Sequence, residues 1–225
     1  MWGRGMDYKL HSHRHAEAVM RSVPSSARKL DEVLEVIRGI SDSDLRSSFE
    51  TKAKRKTAAG KKVDKSLSVV INELLRNRLS PKGWKTESPI FKGAEYGDLP
   101  KRSGAAAKNP KNPWRLDFAQ GSYSIEVAFN HGEAIPWNLL KPVIAGELNH
   151  VEKAIQSDFG IVICATSALK SKGNFDSAVG EYEKFLKYLK PLRNFLTIPI
   201  LIVGLEAPKS FRIDPKTRRV VSINN

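Results

Sequence analysis

The sequence predicts an α/β protein built on a mixed sheet, and three observations carry that reading. The segment WRLDFAQGSYSIEVAF alternates apolar and polar residues on either side of Gly121 and Ser122, the pattern of an antiparallel hairpin. FGIVICAT and PILIVGLE are continuous apolar runs of the kind buried on both faces of a sheet. Between them, Asp176 to Leu189 has a helical pattern, and strand, helix, strand implies a parallel pair joined by a right-handed crossover. An antiparallel hairpin feeding a parallel pair makes the sheet mixed.

With 225 residues the chain can bury one substantial core, so a single domain over 1–225 with an irregular amino-terminal part is expected. Leu30, Val33, Leu34 and Ile37 predict a helix from Ala27 to Ile37, stopped by Gly39. His11, His13 and His15 alternate in a way that can bind metal, but near a terminus and without a carboxylate or cysteine partner they read as a polar lead-in. Thr51 to Lys65 carries seven Lys or Arg residues and one Asp. It is either a solvated loop or a phosphate-contacting arm through Lys54, Arg55, Lys61 and Lys62, and its one-sided charge favours the arm. Leu67, Val70, Ile71, Leu74, Leu75 and Leu79 then form the stripe of a packed helix that stops at Ser80 and Pro81. From Ser88 to Trp114 a strand or turn leads into a long loop whose Lys101, Arg102, Lys108 and Lys111, with Arg115, form a second basic segment. After the hairpin, Pro142 is expected in the first turn of a helix running to about Gln156.

Thirty-eight Lys plus Arg against 24 Asp plus Glu give a net charge of +14, which favours a polyanionic partner, nucleic acid first. An anionic membrane would need a basic amphipathic helix or a lipid signal, and the sequence shows neither. No apolar run approaches a transmembrane span and the opening residues lack the hydrophobic stretch of a secretory signal, so a cytoplasmic protein is expected. The single cysteine, Cys164, sits in an apolar run as a core residue. KSKGNFD lacks the spacing of a P-loop, which leaves no signal for a nucleotide hydrolase.

The chemistry concentrates at the hairpin. With Gly121 and Ser122 as a type II′ turn, Gln120 pairs with Tyr123, Phe118 with Ile125, and Asp117 with Glu126. Leu116, Phe118, Ile125, Val127 and Phe129 fall on a core face, and Asp117, Ala119, Ser124, Glu126 and Ala128 on the other. Opposed carboxylates, with Cβ atoms roughly 5 Å apart, repel unless one takes a proton or a cation sits between them. A divalent metal such as magnesium, which prefers oxygen ligands, turns that conflict into a site. The alternative is that both acids lie on a solvated face.

The ordered blocks GWKTESPI, RLDF, IEVAFNHG, NLLKPVIAGELNHVEKAI, GIVICATSALK and PILIVGLEAP resemble the restriction endonucleases of the BglII and BamHI type, within the PD-(D/E)xK nuclease superfamily. The resemblance covers 65–206 as a nuclease core, with 1–64 a less clearly matched basic helical part. It implies a three-layer α/β/α fold around the mixed sheet. It also implies a homodimer on duplex DNA and Mg2+-dependent hydrolysis at a short palindrome, with Mn2+ as a possible substitute. The expected ends are 5′-phosphate and 3′-hydroxyl, and a cognate DNA methyltransferase would be a system partner without a stable complex. By position, Asp117, Glu126 and Glu87 match the catalytic acids, with Asp117, Glu126 and Val127 as metal ligands.

The resemblance departs at Ala128, where the E-x-(K/Q/E) element usually carries Lys, Gln or Glu. Glu147, His150 or Lys141 could supply the missing group, although each also reads as an ordinary helix residue. Asn130 and His131 could reach DNA or simply shape the turn before Gly132. Three hypotheses follow: a type II restriction endonuclease, a sequence-specific DNA-binding dimer with a weakened or inactive centre, and a basic α/β protein with no DNA role.

Overall fold

The computed structural model describes residues 5–92, 114–147 and 152–223. The chain begins with a strand, β1 (Tyr8–His13), followed by four helices: α1 (Ala16–Ser22), α2 (Pro24–Arg38), α3 (Asp42–Ala58) and α4 (Ser68–Leu79). Next come β2 (Lys85–Pro89), β3 (Arg115–Gln120), β4 (Tyr123–Ala128), α5 (Ile135–Glu147) and β5 (Phe159–Ala165). The order ends with α6 (Ser167–Lys172), α7 (Tyr182–Leu192), β6 (Ile200–Leu205), β7 (Phe211–Ile213) and β8 (Val220–Ser222).

The main sheet runs β1-β6-β5-β4-β3-β2, and β7 pairs with β8 in a separate ribbon. β4, β5 and β6 are parallel, whereas the outer pairings are antiparallel, so the sheet is mixed as expected. The apolar runs of β5 and β6 serve two cores at once. Ile161, Ile163, Leu201 and Val203 pack with Leu30, Leu34, Ile71 and Leu75 of α2 and α4. Val162, Cys164, Ile200 and Ile202 pack on the opposite side with Ile135, Leu139 and Phe185 of α5 and α7. This is the three-layer α/β/α arrangement, and it explains why those strands show no polar alternation.

Several local expectations change. Thr51 to Ala58 is the carboxy-terminal half of α3 rather than a loop. Ser41 and Asp44 form a reciprocal capping box that starts this helix, while few apolar residues in its second half mark it in the sequence. Lys52 and Lys56 are tied to Glu73 and Asp64. Lys54, Arg55, Lys61 and Lys62 are exposed and pair with no carboxylate among the described residues. Pro142 lies inside α5, which begins at Ile135 and has ended before Gln156. The Pro142 ring packs over Gly160 of β5, where a Cβ would come within 2.8 Å of it, and that packing offsets the lost helical hydrogen bond. The crossover helix is shifted as well: α7 starts at Tyr182, and Asp176 closes a turn by accepting from the Ala178 N–H. His11 and His13 lie on the edge strand β1 and His15 precedes α1, and buried His13 Nε2 lies 2.7 Å from the Leu196 carbonyl oxygen. Among the described residues no helix is long and apolar enough to cross a membrane.

Candidate active site

The hairpin turns at Gly121 with φ 56°, and Ser122 does not share the positive φ, as a type II′ turn requires. Gln120 pairs with Tyr123 and Phe118 with Ile125, in the register read from the sequence. The regular ladder stops there, so Asp117 and Glu126 are not a backbone pair. Instead the Val127 N–H donates to Asp117 Oδ2 at 2.6 Å. The carboxylate takes over the role of a strand partner, and the two strands can diverge without stranding that amide. The face pattern shifts at the same place: Leu116 packs with Ala119, Ile90 and Ala145, not with Phe118.

Glu126 is on no solvated face; it is 2% exposed, beneath α5. Its Oε2 accepts from Lys141 Nζ at 2.7 Å, while Oε1 is buried with no hydrogen-bond partner. Burial pushes the Glu126 carboxyl up to about 8, Asp117 adds repulsion, and the Lys141 ammonium opposes both. Asp117 is also raised, chiefly by burial, against the Val127 N–H and Lys141; nearby Glu87 raises it further and Arg76 lowers it. Two carboxyl groups therefore sit where ionisation is costly without added positive charge.

Glu87 approaches from β2. Its φ of 49° is in the left-handed region, and β2 and β3 pair on either side of it but not at it. The exposed carboxylate is held by Arg76 Nη2 at 3.2 Å and lies 4.0 Å from Arg115 Nη1. The structure thus brings Asp117, Glu126 and Glu87 into one electrostatic neighbourhood.

Ala128 is 1% exposed and packs with Ile135, Leu139 and Val143, so it offers no polar group. Of the three side chains considered in its place, Lys141 reaches the acids from α5. Glu147 is exposed at the end of α5 and bears electrostatically on Lys153. His150 lies outside the described residues, as do Lys101, Arg102, Lys108 and Lys111. Asn130 accepts from Asn138 at 2.9 Å, and the His131 carbonyl accepts from the Ala134 N–H at 2.9 Å. Both residues shape the turn into α5, yet both remain exposed. Nothing in the sequence singles out Arg76, which lies in the last turn of α4 as one of several basic surface residues; the approach of β2 gives it a carboxylate partner in Glu87.

The acids suit a hard cation. Carboxylate oxygens are the ligands Mg2+ prefers, and the orphaned Glu126 Oε1 is a buried acceptor in need of a partner. Among the described residues, no group of three His, Cys, Asp or Glu residues is already gathered for a metal, in keeping with Glu87 being held by the arginines. The histidines of β1 form no such group either.

The sequence matches the family model for restriction endonuclease BglII/BglIII over residues 8–205. Among curated proteins none matches. The crystal structure of restriction endonuclease BglII complexed with a DNA 16-mer is similar with a TM-score of 0.59 at 18% identity, covering 96% of this chain and 90% of that one. The crystal structure of free BglII gives a TM-score of 0.48 at 15% identity, covering 96% and 91%. The likeness to the DNA-bound structure shows a shared fold, and the family match runs through β1, both cores and all three acids. The chain belongs to the BglII restriction endonuclease family.

Proposed function

We propose that this protein is a type II restriction endonuclease that hydrolyses one phosphodiester per strand at a short palindrome in duplex DNA, using Mg2+ or, in its place, Mn2+. The products are 5′-phosphate and 3′-hydroxyl ends. A homodimer would match the two-fold symmetry of such a site, and a cognate methyltransferase would protect host DNA without forming a stable complex. The observation that carries the reading is the buried Glu126 Oε1, without a partner beside Asp117, in a chain of this family.

Asp117 and Glu126, with the Val127 carbonyl and Glu87, would hold the metal, which when bound polarises the scissile phosphate and lowers the pKa of a bound water. The Val127 N–H fixes the Asp117 carboxylate, and burial under α5 fixes Glu126. Lys141 supplies from a helix the positive charge that position 128 lacks, opposing the burial that favours the protonated Glu126 carboxyl and standing beside the acids where it can orient the attacking water. Exposed Lys54, Arg55, Lys61 and Lys62 are suited to backbone phosphates, as are Lys101, Arg102, Lys108 and Lys111 by composition. The similar BglII structure is a complex with a DNA 16-mer, which supports duplex DNA as the partner.

A second reading rests on Ala128: a dimer that binds its sequence but cleaves weakly or not at all. Purified protein incubated with unmethylated, sequence-diverse duplex DNA and Mg2+ or Mn2+ separates the two. Discrete fragments, lost with Asp117→Ala and with EDTA, establish the nuclease. Tight binding at one sequence without cleavage establishes the binding dimer.

A further inference from the structure

At the edge of the sheet opposite Glu87, the alternating histidines open onto a second cleft. It has a volume of about 1120 Å3 and lies between the end of β1 and the carboxy-terminal turns of α7. His11, His13, Arg14 and His15 line one side, Lys190 and Arg193 the other, and no carboxylate lines it. Glu126 is aligned with Val162, Val162 with Ile202 and Ile202 with His11, so three strand spacings, about 14 Å, separate the cleft from the buried acid. The cations crowd one another without compensation. Burial lowers the pKa of His13 most, and Arg14, Arg193 and His11 lower it further against the Leu196 carbonyl. Arg14, Lys190 and Arg193 pair with no carboxylate among the described residues. Arg14 Nε and His13 Nε2 both donate to the Leu196 carbonyl oxygen at 2.7 Å, which leaves Arg14 Nη1 and Nη2 for another acceptor. Arg14 and His15 are also left-handed, with φ 52° and 54°, a conformation that non-glycine residues adopt at a cost. Like charges gathered at that cost, with no anion of the chain among them, suit an anion from outside.

We propose that this cleft binds a single strand of DNA, with phosphates on Arg14, Lys190 and Arg193 and an unpaired base on Phe195. Phe195 is 66% exposed and lies between Asn194, which lines the cleft, and Leu196, whose carbonyl anchors His13 and Arg14. An aromatic ring on the rim of a cationic groove is a stacking platform for a base. That selects a single strand, because the internal bases of a duplex already have both faces stacked. The guanidinium fork of Arg14 suits a phosphate, and the Asn194 amide can both donate to and accept from a base edge. The cleft is separate from the catalytic acids, so its binding does not depend on the nuclease reading.

The test is fluorescence anisotropy with a labelled oligothymidylate and with a duplex of equal length, in EDTA and over a range of salt. The wild type should bind the oligothymidylate, more weakly as salt rises. The double variant Lys190→Ala with Arg193→Ala should bind it about tenfold more weakly and flatten the salt slope by about 1.4, the value for two phosphate contacts on a single strand. Phe195→Ala should weaken it about five- to a hundredfold, the scale of one stacked base, and leave the slope unchanged. Both variants should bind the duplex as the wild type does. No binding of the oligothymidylate, or binding that neither variant changes, would leave a solvated basic surface and overturn the proposal. Loss on removing the cations but not Phe195 would mean a phosphate site without a base platform, and an equal loss of duplex binding would make the cleft part of the duplex surface; each also overturns it. Lys190, Arg193 and Phe195 are exposed, so the variants are expected to melt at the wild-type temperature, which a thermal scan checks.

Discussion

Glu126 and Glu87 flank Asp117 from neighbouring strands, and their surroundings are opposite. Glu126 stands on β4 in the middle of the sheet, 2% exposed, with Lys141 brought to it by α5. Glu87 stands on the edge strand β2, with an exposed side chain, a left-handed backbone and two arginines for partners. One carboxylate is fixed by the core and destabilised by it, so it is preorganised to receive positive charge. The other is held by a weak surface contact and can be redirected. A site that must stay shut to water and still admit a long polymer can divide those tasks between centre and edge.

The largest effects are expected at the buried acids. Asp117→Ala and Glu126→Ala should each lower cleavage on the order of a thousandfold or more, the several kcal/mol of a lost metal site. Duplex binding in Ca2+-free gel-shift assays should be largely retained, and loss of both together would mean that the acids support the fold rather than the chemistry. Lys141→Met should cost about a hundredfold or more in kcat, the scale of one lost electrostatic donor. Unimpaired single-turnover cleavage by that variant would remove Lys141 from the role that Ala128 leaves open. At the edge, Glu87→Gln should cost less, about ten- to a hundredfold, comparable to losing a peripheral contact of a metal site. A Glu87 effect as large as that of Glu126 would erase the contrast.

The smallest effect is one of stability. The Glu126 carboxyl is raised in the folded protein from its ordinary 4.5 to about 8, so between those values the folded state binds more protons than the unfolded chain. Metal-free protein should therefore lose stability as pH rises from about 5 to 8, whereas Glu126→Gln should lose less over the same range. Urea denaturation at pH 5 and pH 8 with EDTA measures the two slopes; parallel slopes would show that Glu126 ionises freely.

The contrast between centre and edge also separates what could be read from the chain. Alternation and a Gly-Ser turn placed Phe118 opposite Ile125, because a two-residue turn and a period of two leave little choice of register. The same reasoning carried one pair too far at Asp117, where a side-chain hydrogen bond replaces the ladder and no periodicity records it. Proline usually marks the first turn of a helix, which is why the sequence suggests that place for Pro142; in the structure Pro136 lies there, and Pro142 is accommodated by packing on Gly160. β1 leaves no such signal, because an edge strand with alternating histidines has little apolar content and its pairing with β6 closes over a span of nearly the whole chain.

Local periodicity and turn chemistry are enough to read from the chain the mixed α/β class, the hairpin register from the Phe118–Ile125 pair to the Gln120–Tyr123 pair, and both buried parallel strands. That Lys141 meets Glu126 and Arg76 meets Glu87 depends on packing between elements distant in the chain. Those contacts join residues on different elements, and they are set by how α5 packs over β4 and β5 and by the placement of β2 beside β3. Burial then makes the difference chemical: Glu126 and Glu87 are the same residue in sequence, and the protein around each gives them different proton affinity, partners and freedom to move.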